Sequence, residues 1–435
     1  MTTAEIFRTF LGNLRIENHT QIEDRYGEIT AALNKNFRDT ESKTANSLQV
    51  GSYGRWTAIK GISDLDMVYI VPASKWDTYN KNGGQSKLLA DTKKAIQSRY
   101  PRTNIYVDRL VVCVLYTNFH IEVQPVFELE DGSFKYPNTK NGGSWKITKP
   151  REEIRATKEF IDNKNKNLRH LCKILRAWKN KHGVGIGGLL IDTLAHNFLA
   201  STDAYDNKSY NYHDYMVRDF FQYASNLQGQ DYYLALGSKQ RVRVKQKFQR
   251  PAKKAYDLCC EAINATGQDN EGDKWKKVFG SDFPSTRSSV TKATMESANN
   301  FAFSNTEQFI EDQHPIDIRY PLTIDCEVSQ NGFRERLLSE ILHLNHPLKS
   351  KKSLKFFIKN KEIPGDYSIK WKVLNQGPEA QRRDCIRGQI IFDTGREEIK
   401  ESTSFKGDHI VDCYIIKNNV VIAKDSIQVP ISENL

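Results

Sequence analysis

Two carboxylates, Asp64 and Asp66, stand one residue apart where an apolar run begins, and that run closes at Val71-Pro72. Its Val, Ile and Tyr content favours a strand, and residues i and i+2 of a strand share a face. Both carboxylates therefore point the same way, roughly 7 Å apart at the backbone. Like charges held in this manner repel unless a cation lies between them, which suits Mg²⁺, an ion that takes carboxylates together with substrate phosphates. Upstream, Gly51-Ser52 forms a small-residue turn whose N–H groups and hydroxyl can hold phosphate oxygens, with Arg55 or Lys60 to add positive charge. Asp-x-Asp by itself is common at solvated strand entries. Its pairing with Gly51-Ser52 points to a nucleotide-handling site.

The run Gly51-Ser52, then Thr57-Ala58-Ile59-Lys60-Gly61, then Ser63-Asp64-Leu65-Asp66 before an apolar strand resembles polymerase-β-like nucleotidyltransferases, specifically the bacterial cGAS/DncV-like (SMODS, CD-NTase) branch. That resemblance implies a third metal carboxylate on a neighbouring strand, in a phrase such as Ile-Asp-Val-x-Pro. Here the matching phrase is Ile121-Glu122-Val123-Gln124-Pro125. Glu122 stands where the family has Asp: charge and oxygen ligands survive, while the added methylene alters the reach. Leu175-Arg176-Ala177-Trp178 resembles the helix with which the family grips the donor triphosphate, which implies a phosphate role for Arg176 or Lys173.

Composition places few restrictions on the partner and several on the class. With 38% hydrophobic and 27% charged residues over 435 positions, the chain is expected to form two or three globular domains. It offers neither an apolar stretch of about eighteen residues nor an apolar signal core, so a cytoplasmic, non-membrane protein is expected. Seven cysteines without Cys-x-x-Cys spacing argue against zinc and against a disulfide framework. A net charge of +11 is permissive for nucleotides or nucleic acid.

Taken in order, residues 3–40 read as a long helix, from Ile22, Tyr26, Ile29, Leu33 and Phe37 at helical spacing. A surface connector at 80–84, a helix over 85–99 and strands near 104–117 and 119–128 follow. Residues 129–150 read as a turn-rich passage to a helical lobe. Within 167–181, Leu168, Leu171, Cys172, Leu175 and Trp178 form one stripe. Basic residues crowd 239–254, with Phe248 the one aromatic, which reads as a solvated face or an RNA track. Trp275, Phe279, Gly280, Phe283 and Pro284 resemble the closing motif of the catalytic module in this branch.

The expected fold is therefore an α/β (α+β) polymerase-β-like nucleotidyltransferase with a long N-terminal helix. Its module spans 1–284, divided into a catalytic lobe at 1–150 and a helical lobe at 151–284. A linker at 285–305 precedes an immunoglobulin-like β-sandwich at 306–435, whose Trp371 is a core residue. The stretch 367–380 with Arg387-Gly388 resembles the AGS-C sensor domain found after such enzymes. The resemblance implies anti-phage defence, with Mg²⁺ (Mn²⁺ possible) held by Asp64, Asp66 and Glu122, and the NTP or dNTP held by Gly51, Ser52, Lys173 and Arg176. It further implies an RNA, peptide or nucleotide activator at the sensor and an effector that binds a cyclic or linear product. A template-independent linear synthase, a protein-modifying transferase and an inactive nucleotide-binding sensor are the alternatives.

Overall fold

The computed structural model describes residues 1–61, 64–117, 119–285, 308–330, 335–344, 348–349, 352–375, 379, 387–403 and 406–432. The chain separates into two compact units, the first comprising 1–178 with 188–285 and the second 179–187 with 286–435. The expected linker lies almost wholly outside the described residues, as do Ile62-Ser63 and most of 376–386.

The first unit begins with two helices, α1 (Thr3–Asn13) and α2 (His19–Arg38), where one long helix was expected. Gly12 and Asn13 are weak helix formers, and at Leu14 the chain turns back, the Leu14 N–H donating to the Phe10 carbonyl and the Arg15 N–H to the Gly12 carbonyl. The break lets each helix bury its apolar face against a different partner. Phe7 and Phe10 of α1 pack on Trp275, Phe279 and Phe283, with Phe10 and Phe279 stacked at 5.2 Å between centroids. These three aromatics of the closing motif are at most 2% exposed. They pin the last helix of the unit, α11 (Glu271–Phe279), as the sequence implied.

α2 packs on a sheet made from β1 (Ser47–Gln49), β2 (Asp64–Ile70), β3 (Ile105–Asp108), β4 (Val111–Leu115) and β5 (His120–Glu128), in the order β1-β2-β5-β4-β3. β2 and β5 run parallel and the other neighbours antiparallel. The short α4 (Trp76–Tyr79) and the longer α5 (Gly84–Arg99) follow β2. Strand alternation sorts the residues of β2 and β5. Leu65, Met67, Tyr69, Ile121 and Val123 join Ile22, Ile29 and Leu33 of α2, and Leu88, Leu89 and Ile96 of α5, in one core. Asp64, Asp66, His120 and Glu122 are consequently on the opposite face. The expected turn passage at 129–150 is instead a hairpin of β6 (Phe134–Asn138) and β7 (Ser144–Thr148), with Pro137 accommodated beside Trp145.

Five helices complete this unit's second half: α6 (Pro150–Asn163), the start of α7 (Asn167–His182), α8 (Gly188–Ala200), α9 (His213–Asn226) and α10 (Gln249–Asn264). The expected stripe of α7 is buried throughout, from Leu168 to Trp178. Phe248 is 1% exposed and touches Tyr233, so the one aromatic of the basic stretch is core and offers no stacking platform.

The described residues of the second unit form two sheets. One runs β11-β10-β13-β16 (Arg336–Leu337, Leu322–Ser329, Ser353–Lys361, Glu398–Ser402). The other runs β12-β18-β17-β14-β15 (Leu348–Lys349, Val420–Ser432, Gly407–Lys417, Ser368–Leu374, Ile390–Phe392). Cys326 and Phe356 of the first share a core with Trp371, Cys413 and Ile415 of the second. Trp371 is a core residue, as expected, and its Nε1 donates to Asp393 Oδ1 at 2.9 Å.

Candidate functional site

The register of β2 and β5 sets Asp64 beside His120 and Asp66 beside Glu122. These four residues form a square of side chains on one face of the sheet. Ligand atoms of Asp64, His120 and Glu122 all lie within 4.8 Å of one another. His120 Nε2 is 3.3 Å from Glu122 Oε1, and its buried Nδ1 has no hydrogen-bond partner among the described residues. Two carboxylates and an imidazole gathered around one point are a donor set suited to a divalent cation. His120 was not recognised from the sequence, although it sits two residues before Glu122. That i, i+2 spacing was a readable signal, because it puts both on one face.

Asp66 completes the square from the direction of Gly51. The Gly-Ser segment, read from the sequence as a small-residue turn, is a single helical turn, α3 (Gly51–Gly54). Gly51 has φ +63°, and a Cβ on it would come 1.7 Å from Asp66 Oδ2. Backbone bonds lock the turn to β2: Val50 N–H donates to the Asp66 carbonyl at 3.0 Å, and the Ser52 carbonyl accepts from Thr57 and Ala58. Gly51 thus reaches the Asp66 carboxylate.

α3 is anchored from behind by a buried ionic cluster. Arg55 donates through Nε to Asp192 Oδ2 at 3.1 Å and through Nη1 to Glu153 Oε2 at 3.2 Å. Thr57 Oγ1 donates to the same Asp192 oxygen. Arg176 was expected to grip a triphosphate, but it is 6% exposed and donates to Asp192 Oδ1 at 2.7 Å and to the Gly188 carbonyl. Its guanidinium is committed to this cluster, so it acts on the site by holding Asp192. Burial raises the Asp192 carboxyl, but Arg176 and Arg55 outweigh that effect and hold it at about 2. For Glu153 burial wins over the attraction of Arg55, and its carboxyl is raised.

Lys173, the other expected grip, lines a cavity whose wall, among the described residues, includes none of the four side chains of the square. The basic stretch 239–254 contributes Arg241 and Arg243 to a two-stranded ribbon of β8 (Tyr232–Leu234) and β9 (Arg241–Arg243), with Arg241 stacked over Tyr232 at 4.4 Å. The ribbon packs on α8.

Residues 1–160 match the family described as the Second Messenger Oligonucleotide or Dinucleotide Synthetase domain, and residues 304–432 match the Adenylyl/Guanylyl and SMODS C-terminal sensor domain. No curated protein sequence matches the chain. A chain in the complex of Escherichia coli MS115-1 CdnC with HORMA-deltaN superposes with TM-score 0.50 at 16% identity, covering 65% of this chain and 98% of its own length. That likeness is one of fold. CdnC of the same strain with ATP gives TM-score 0.49 at 15% identity, over 65% of this chain and 98% of that one. The Vibrio cholerae DncV cyclic AMP-GMP synthase gives 0.45 at 13%, over 65% and 88%. With the square of β2 and β5 in its first unit and a sensor domain matched over its second, the chain belongs to the cGAS/DncV-like nucleotidyltransferases, enzymes that join nucleotides into oligonucleotide or dinucleotide second messengers.

Proposed function

We propose that the chain joins NTP-derived nucleotides by attack of a 3′-hydroxyl on the α-phosphate of a bound NTP, with release of pyrophosphate. The observation that carries this reading is the convergence of Asp64, His120 and Glu122 within 4.8 Å, beside Asp66 and Gly51. Asp64, Asp66 and Glu122 fit a divalent cation, Mg²⁺ or Mn²⁺, and His120 stands where it can serve as a further donor or hold Glu122 in place. When bound, such ions lower the pKa of the attacking hydroxyl and stabilise both the entering and leaving oxygens of an in-line displacement.

The residues of this chain have separate tasks. Gly51 lets the backbone approach the phosphates at a place where a Cβ would strike Asp66. Ser52, with its carbonyl tied to Thr57 and Ala58, presents its hydroxyl from a fixed turn. The Arg55–Asp192–Arg176 cluster keeps that turn in register with β2, so Arg176 acts as a positioning residue. The module boundaries proposed are 1–284 for the transferase and 306–435 for the sensor, read as an immunoglobulin-like sandwich that receives an activating ligand. An operon role in anti-phage defence, with an effector that binds the product, fits this two-part design.

Incubation with all NTPs and Mg²⁺ or Mn²⁺, followed by mass spectrometry, tests the reading. Oligonucleotide product and pyrophosphate are expected from the native chain, and none from Asp64→Ala with Asp66→Ala. Undiminished pyrophosphate release from that variant would sink the assignment.

A further inference from the structure

A cavity of about 1270 Å³ opens within the first unit between α1, the first turns of α2, α3 and the start of α7. α2 packs on the face of the sheet that carries Leu65 and Met67, and the carboxylates occupy the other face. The cavity therefore lies on the α2 side of the sheet, away from the square. Its wall carries Arg8, Arg15, Lys166, Arg169 and Lys173, against the acids Glu23 and Asp24. Among the described residues, Arg15, Lys166, Arg169 and Lys173 have no ion-pair partner.

The cations of this wall act on one another instead. Burial, then Arg169, Arg15 and Arg176, push the Lys173 ammonium down to about 8. Burial, then Arg169, Lys173 and Lys166, hold the His170 imidazole at about 4. A cluster of like charges that forms no ion pair favours an incoming anion, because each new contact also relieves existing repulsion. Aromatic faces stand beside it: Tyr53, Trp56, which is 40% exposed, and Tyr210, over which the Arg8 guanidinium sits at 5.2 Å.

We infer that this cavity is a second anion-binding site, distinct from the carboxylate site, which takes a compact polyphosphate of the kind borne by a nucleoside triphosphate. Arg8, Arg15 and Arg169 can each present two N–H donors to phosphate oxygens, and the aromatic rings can receive a base. A small ligand is favoured over a nucleic-acid strand because Glu23 and Asp24 interrupt the positive wall. The basic stretch 239–254 also contributes nothing to the cavity lining among the described residues. The cavity and its charges carry this site by themselves, whether or not the carboxylate square performs the proposed reaction.

Titration calorimetry with inorganic tripolyphosphate in EDTA tests it. One equivalent should bind the native chain and the Asp64→Asn/Asp66→Asn variant equally, and at least tenfold more weakly to Arg169→Ala and to Arg15→Ala. The latter substitutions are at partly or fully exposed positions and are expected to leave the fold intact, which circular dichroism checks. α,β-Methylene-ATP with Mg²⁺ should occupy two sites on the native chain, one of them lost in the Asp variant and the other in the Arg variants. Absence of tripolyphosphate binding, or equal binding by the Arg variants, overturns the proposal. A single nucleotide site abolished by both sets of substitutions also overturns it, since the cavity would then be the substrate site. A single-stranded RNA that binds more tightly than tripolyphosphate and depends on the same arginines would assign the cavity to nucleic acid and reject the small-ligand reading.

Discussion

Gly51 and Asp66 are in direct contact: the α-carbon of one leaves so little space beside the carboxylate of the other that an ideal Cβ would come 1.7 Å from Oδ2. The phosphate-facing turn and the metal-facing strand are fitted to each other at this point. Any side chain at position 51 must displace Asp66, and the φ of +63° adds backbone strain for a residue other than glycine. Gly51→Ala is expected to lower kcat by at least about 100-fold, since a displacement near 1 Å at a reacting centre costs that much. Its melting temperature should fall by only a few degrees. Activity within threefold of native would show that Asp66 can move without consequence.

His120 is expected to tighten the cation site. Replacement by Ala leaves Glu122 without its 3.3 Å neighbour and should weaken Mn²⁺ binding about 10–100-fold, the range found for groups that orient metal ligands. Mn²⁺ binding followed by electron paramagnetic resonance reads this without reference to turnover. An unchanged affinity would leave His120 a packing residue only.

Asp192 holds two arginines, and Asp192→Asn leaves both buried with half their counter-charge. Breaking a buried pair in this way costs about 3–5 kcal/mol, measurable by urea unfolding of the full chain. The native carboxyl is held at about 2 against an unfolded value near 3.8. Its stabilising contribution is therefore complete above about pH 4 and is lost as pH falls toward 2. The gap between native and variant should close over that window. A cost under about 1 kcal/mol at pH 7 would mean that the cluster does not anchor α3.

His170 and His213 contact each other at 3.1 Å and are held neutral, at about 4 and about 3, first by burial. The unfolded chain takes up protons near pH 6.5 that the folded chain refuses, so stability is intact above that pH and declines as pH drops from about 6.5 toward 4. A tenfold difference in proton affinity between the folded and unfolded chain is worth about 1.4 kcal/mol. Melting curves of the first unit should show this decline, and His213→Gln should flatten it. A native melting temperature constant between pH 7 and 5 would contradict the buried neutral pair.

The site was legible in the sequence where its chemistry is short-range and hidden where it depends on distant contacts. Asp64, Asp66 and Glu122 could be read because strand alternation fixes which side chains share a face, and the parallel pairing of β2 with β5 followed the family pattern. Arg176 was misread because a basic residue on a helix looks the same whether it faces a phosphate or Asp192, sixteen residues on, across a turn. The hairpin of β6 and β7 was hidden by Asn, Gly and Lys residues, whose turn signals masked alternation in Phe134, Tyr136 and Trp145. The break between α1 and α2 could not be read from helical periodicity, because both halves keep it. What separates them is that Phe7 and Phe10 meet residues about 270 positions away.

That same contact bears on how the molecule is made. α1 leaves the ribosome well before the aromatics that cover its apolar face, which are among the last of the unit to do so. Until Trp275, Phe279 and Phe283 arrive, Phe7 and Phe10 lack the rings they pack on, and long-separation contacts of this kind form late. A fragment ending at 160 would hold every carboxylate of the square and still carry an uncovered aromatic helix. The smallest piece able to fold with its catalytic face intact is therefore one that runs through to Phe283, with the beginning and the end of the unit closing on each other like a clasp.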